Sequence, residues 1–78
     1  MDRAPLDSTT LASAAYHPAT RVLELEFRSG ALYRYFSVPP SLYRDLLAAD
    51  SKGRFFNRFI RNSFLTTLVA PPSGPKTI

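Results

Sequence analysis

The sequence predicts a small α+β fold, a three-stranded antiparallel β-meander followed by two short helices packed on one of its faces, in the order β-β-β-α-α. Three observations predict it. From Arg21 to Phe27, Leu23, Leu25 and Phe27 alternate with Val22, Glu24 and Glu26, the period-two pattern of a half-buried strand. Ser29-Gly30 then turns the chain into a second run, Ala31 to Phe36. Beyond Val38-Pro39-Pro40 the apolar residues recur at helical spacing instead.

A chain of 78 residues makes one domain. At this size folding buries only about 60% of the unfolded chain's surface, so the core must be dense in large side chains. Six Phe and four Tyr supply them. Residues 1–10, mixing Pro5, Asp7, Ser8, Thr9 and Thr10 without periodicity, read as a flexible arm; residues 11–64 read as the folded domain. Residues 65–78 read as a C-terminal extension and Pro-rich tail, in which Leu65 to Ala70 suits either an added strand or a helix extension.

Ser13 to Tyr16 is a short first strand, closed by a turn at His17-Pro18-Ala19-Thr20 in which His17 has no further role. On the next strand Glu24 and Glu26 point to one solvated outer face, about 7 Å apart at a rise of roughly 3.3 Å per residue. Nothing in the sequence differentiates them as an acid and a base. The following hairpin has two possible registers. A two-residue loop would bury Arg34 with Leu32 and Phe36, whereas a type I turn over Arg28-Ser29 with Gly30 as a left-handed bulge turns Tyr33 and Tyr35 inward. The bulge also sets Glu24 opposite Arg34, a favourable cross-strand pair, and is the register expected.

Proline is tolerated at a helix start because the N–H it lacks would be unpaired there. A helix from Ser41 to Ala49 is therefore expected after Pro40, burying Leu42, Leu46, Leu47 and Tyr43. Asp50-Ser51 ends it and caps the next, Ser51 accepting a backbone N–H of the first turn. In the stretch from Ser51 to Phe64, Phe55, Phe56, Phe59 and Ile60 fall within an arc of roughly 140°, with Arg54, Arg58 and Arg61 on the opposite side. The expected core sets Phe55, Phe59 and Leu46 against Leu23, Leu25 and Phe27. Gly53 costs roughly 1 kcal/mol of helix propensity against Ala; packing against the preceding helix is the ordinary reason for it, and close approach of another backbone or of a ligand phosphate to the first turn the alternative.

Charge points to one partner class. The formal charge of +4 sits in Lys52, Arg54, Arg58 and Arg61, because every other basic residue is matched by an acidic one elsewhere in the chain. A polyanion is the partner such a segment favours. With no Cys and a lone His, no metal cluster is expected, and no cofactor motif is present. No apolar run approaches the ~18 residues of a membrane span. LASAA at Leu11 to Ala15 has no hydrophobic region before it, so a cytoplasmic protein is expected. Without a Cys nucleophile, a placed His or a glycine-rich phosphate loop, catalysis is not expected.

The strand LELEF ending at Ser29-Gly30, Tyr33-Arg34-Tyr35, Val38-Pro39, Leu46-Leu47, and SKGRFFN running into Phe59-Ile60-Arg61 together resemble the KTSC domain family. That family is named for the C-terminal domain of some lysyl-tRNA synthetases, and it also occurs as a small stand-alone bacterial protein. The resemblance spans roughly Ser8 to Phe64, with Phe55 where tyrosine is frequent. It implies no established activity, and RNA binding has been suggested for the family.

The leading expectation is a non-enzymatic module for RNA or single-stranded nucleic acid. Arg54, Arg58 and Arg61 would meet phosphates with Lys52 near the helix start, Tyr33, Tyr35 or Phe36 would stack on a base, and Arg34 is a further candidate. The alternative is a protein-interaction module, in which the basic ridge meets an acidic partner, or the open sheet face or an unpaired edge strand meets an apolar partner or a second copy.

Overall fold

The computed structural model describes residues 3–72. Met1 and Asp2 of the expected arm and residues 73–78 of the expected tail lie outside the described residues. Strands β1 (Arg3–Pro5), β2 (Leu11–His17), β3 (Val22–Phe27) and β4 (Leu32–Tyr35) precede helices α1 (Pro40–Ala48) and α2 (Lys52–Phe55). The second helix runs on as a π-helical turn over Phe56–Ile60, and β5 (Thr66–Ala70) closes the described chain. The strands form one five-stranded antiparallel sheet in the order β1-β2-β3-β4-β5.

The α+β class is as expected, but the sheet gains a strand at each edge. Arg3–Pro5, expected to be part of a mobile arm, pairs with Ala15, Ala14 and Ser13 of β2. Three residues are too few to display an alternating pattern. The segment is held beyond its own ladder as well: Leu6 is buried, and the Arg28 guanidinium donates to the carbonyls of Ser8 at 2.9 Å and Leu6 at 3.0 Å. At the other edge, β5 lies beside β4 with Thr66 opposite Tyr35 and Leu68 opposite Tyr33. That pairing, made across the two intervening helices, decides between the two readings of Leu65 to Ala70.

The central hairpin adopts the bulged register. Gly30 has φ 93°, and its N–H donates to the Phe27 carbonyl at 2.9 Å. Leu25 faces Tyr33, Leu23 faces Tyr35, and Glu24 faces Arg34. One sheet face therefore presents Ala14, Leu23, Leu25 and Tyr35 to a core completed by Val38, Leu46, Phe56 and Ile60 from the helical segment. Tyr16 stacks on Tyr43 of α1 at 4.9 Å, and its hydroxyl donates to the Val38 carbonyl.

Two expected core positions move outward. Leu47 is at the surface, leaving Leu46 as the buried residue of α1, with Leu42 and Tyr43 partly buried. Phe59, placed in the core by an ideal helical period, is 45% exposed, while Phe56 and Ile60 are buried. The cause is the π-helical turn, in which the Arg61 N–H reaches back to the Phe56 carbonyl at 2.9 Å. Each residue of such a turn rotates the chain by less than it would in an α-helix. Three steps from Phe56 then leave Phe59 well short of the buried face, where it packs on Phe55 at 4.8 Å.

The opposite sheet face is less solvated than expected at one point. Glu24 is only 6% exposed, because Arg3 and Arg34 both pair with its carboxylate, Arg34 Nε at 2.9 Å. Arg3, Ala15, Glu24 and Arg34 form one row across four strands. The small Ala15 lets Arg3 reach over it to Glu24. Ser13 links the neighbouring row, accepting from Arg3 at 2.9 Å and donating to Glu26 at 2.7 Å.

Two stability predictions follow from this packing. Phe56→Ala is expected to cost about 3–5 kcal/mol in urea denaturation, and Phe59→Ala no more than about 1 kcal/mol. Equal costs would rule out the π-helical rotation. Glu24→Gln is expected to cost about 1–2 kcal/mol, since both arginines are partly exposed and screened. In that variant hydrogen exchange should accelerate at Ala4 in β1 more than at Leu25 in β3.

Candidate nucleic-acid interface

Helix α2 starts where expected. The Ser51 hydroxyl accepts the Arg54 N–H at 3.3 Å. Two residues on, a Cβ on Gly53 would lie 3.0 Å from Thr10 Oγ1 and 3.3 Å from Thr10 Cβ. Glycine leaves room here for the segment entering β2, whose Thr10 lies against the first turn. The expected neighbour, the preceding helix, is not the cause. The crossing leaves a cleft on each side, and Thr10 and Asn57 line both.

The first cleft, of about 440 Å³, contains Lys52 and Arg54 together with Asp7 and Asp50. Its charges are mixed. Lys52 Nζ, moreover, donates to the Ala49 carbonyl at 3.0 Å, at the end of α1. The second cleft, of about 500 Å³, opens between β4 and the π-helical turn. Phe27, Tyr33, Tyr35 and Phe56 form its aromatic side, with Asn57, Arg61 and Asn62 across from them. Arg61 is the one charged residue among those lining it.

The sequence-predicted residues are thus only partly gathered. Arg61 joins Tyr33 and Tyr35 at the second cleft, and Arg54 and Lys52 lie at the first. Arg58 lines neither, its guanidinium 5.5 Å from the centre of the Phe59 ring. The same π-helical turn that exposes Phe59 splays the three arginines, which an ideal helix would align. Arg34 is on the other face of the sheet, engaged by Glu24. Arg54, Arg58 and Arg61 form no ion pair among the described residues, whereas Arg3 and Arg34 do.

Tyr33 and Tyr35 play different parts. The Tyr33 ring is half-buried, in edge contact with Phe27 at 5.6 Å. Tyr35 is 3% exposed, its ring held edge-on by Phe56 at 5.7 Å. Burial, and then the neighbouring Tyr33, push the Tyr35 hydroxyl up to about 12, against a smaller downward pull from Arg61. It therefore stays protonated at neutral pH, able both to donate and to accept. Thr10, Asn57 and Asn62 escaped the sequence reading. Asn57 ends the SKGRFFN motif and Asn62 follows Arg61, but polar residues at helix positions carry no periodic signal; Thr10 reaches the site only through its tertiary crossing.

Among the described residues no helix is long and apolar enough to cross a membrane. Comparison with known proteins converges on one family. The KTSC domain model matches residues 7–64. An uncharacterised protein of Stutzerimonas stutzeri is 51% identical over 61 residues, covering 78% of this chain and 86% of that protein. A segment of the lysine–tRNA ligase of Nostoc punctiforme is 43% identical over 58 residues, 74% of this chain but only 10% of the ligase. In structure, a crystallised KTSC domain protein from Yersinia pestis is similar with a TM-score of 0.86 and 36% identity, covering 88% of this chain and 97% of that one. A shared motif order, a matching model over most of the chain and a common fold lead to one conclusion: the chain belongs to the KTSC domain family.

Proposed function

We propose that this domain binds single-stranded nucleic acid, RNA in preference to duplex DNA, on the side where α2 and its π-helical turn border the sheet. The observation that carries the reading is the partition of charge. On the sheet Arg3 and Arg34 are engaged by Glu24 and Arg28 by backbone carbonyls, while Arg21, in the turn between β2 and β3, forms no ion pair among the described residues. On the helix side Arg54, Arg58 and Arg61 meet no carboxylate within ion-pair distance among the described residues, and residues 51–64, which carry them, hold four basic residues and no acidic one. Unpaired guanidinium groups on one surface suit a row of phosphates. Their splay suits a flexible single strand better than the fixed phosphate spacing of a duplex. The similarity to a segment of lysine–tRNA ligases, enzymes named for a tRNA substrate, supports the same reading. The KTSC domain itself has no known catalytic role, and a binding role is the simpler assignment.

A second reading has its own observation. The outer edge of β5 is free of charge and of proline, and Leu65, Leu68 and Val69 are 83%, 50% and 41% exposed around it. An edge of this kind can accept another strand, from an apolar protein partner or a second copy. The β1 edge, with Arg3 and Pro5, is poorly suited to that.

Fluorescence anisotropy with labelled single-stranded RNA, duplex RNA and duplex DNA separates the two. Single-stranded RNA is expected to bind with log K falling against log salt at a slope of about −2 to −3, three or four phosphates being neutralised. Replacing Arg54, Arg58 and Arg61 together by Gln should abolish that binding while leaving stability within roughly 1 kcal/mol. Unchanged binding in the triple variant would remove the helix side as the site. A concentration-dependent dimer in sedimentation, with no RNA binding at low salt, would favour the β5 edge.

A further inference from the structure

We infer that the cleft between β4 and the π-helical turn is a seat for one unpaired nucleotide of the bound strand, with its base beside Tyr33 and its phosphate on Arg61. This rests on the nucleic-acid reading and adds to it a contact that distinguishes a base from bare backbone.

The first argument is the convergence of polar groups on the cleft. Thr10, Tyr33, Tyr35, Asn57, Arg61 and Asn62 all line the cleft, and no polar side-chain atom of theirs has a hydrogen-bond partner among the described residues. Tyr35 buries its ring, and its hydroxyl is accessible from the cleft. Donors and acceptors that converge beside an aromatic wall, free of protein partners, suit a ligand with both an apolar face and a polar edge.

The second argument is chemistry. A half-buried tyrosine offers a surface for stacking, and base stacking on an aromatic ring tolerates any base. Asn57 and Asn62 each carry a donor and an acceptor side by side, the pattern that the edge of a nucleobase matches. Arg61, with no carboxylate among the residues lining the cleft, favours an anionic ligand. The volume of about 500 Å³ suits a single nucleotide and is far too small for a base-paired helix. The first cleft lacks this combination, since no aromatic residue lines it.

The test uses the full chain and a short single-stranded RNA carrying 2-aminopurine, whose fluorescence falls on stacking. Asn57 is exposed, so Asn57→Ala should fold normally; Tyr33→Ala is checked by circular dichroism and thermal melting. Each variant is expected to weaken binding about tenfold and to leave the salt slope unchanged, because a base contact and no phosphate contact is lost. The wild-type protein should quench 2-aminopurine, and Asn57→Ala should quench it less. Tight, salt-dependent binding that Asn57→Ala leaves intact, with no quenching, would overturn the nucleotide seat and leave backbone binding standing. Absence of any strand binding at low salt would overturn both. Equal affinity for adenosine monophosphate and for the oligomer would assign the cleft to a free nucleotide and overturn the strand.

Discussion

Everything about the two faces of this sheet depends on the register of the hairpin at Gly30. Its left-handed backbone, φ 93°, adds one residue to the turn, and side chains on a strand alternate faces at every step. With the bulge, Tyr33 and Tyr35 turn toward the helices and Arg34 turns away to meet Glu24. Without it, an arginine would enter the core and both tyrosines would leave the cleft they now line. The same register aligns the row of Arg3, Ala15, Glu24 and Arg34, so the ion pairs that hold β1 to the sheet are also a product of that turn.

A second constraint lies on the helical side. The close approach of Thr10 to Gly53 pins the segment leading into β2 against the first turn of α2. One turn later the helix widens, burying Phe56 and Ile60 and releasing Phe59 to the surface. π-helical turns are costly and occur disproportionately at functional sites. Here the widened turn carries Asn57 and Arg61, two of the polar groups of the aromatic cleft. Local geometry thus separates a set of arginines that would form a single ridge on a regular helix, and directs one of them to the tyrosines.

Much of the fold was legible because its signals are local. Alternation revealed β3, Ser29-Gly30 indicated the bulge, and Ser51 marked the start of α2; each is written within a few neighbouring residues. The edge strands were not legible in the same way. Arg3–Pro5 is too short to show a period, and Thr66–Ala70 becomes a strand only by pairing with β4 beyond both helices. Tyr33, Tyr35 and Arg61 could be named as candidates from residue type and charge, and they do meet at one cleft. Asn57, Asn62 and Thr10 could not, since an amide or a hydroxyl gains meaning only from what surrounds it.

The sequence by itself determined the class of the fold, the inward tyrosines, the opposition of Glu24 and Arg34, and the excess of positive charge in α2 and the turn that follows. These follow from periodicity, turn chemistry and charge counting, all of which act between near neighbours. Only the tertiary structure decided that Glu24 is buried between two arginines, that Phe59 faces outward, that Gly53 lies against Thr10, and that an aromatic cleft opens between β4 and the π-helical turn. Those outcomes depend on which distant segments come into contact, and a contact between residues far apart in the chain leaves no mark on the local pattern of either.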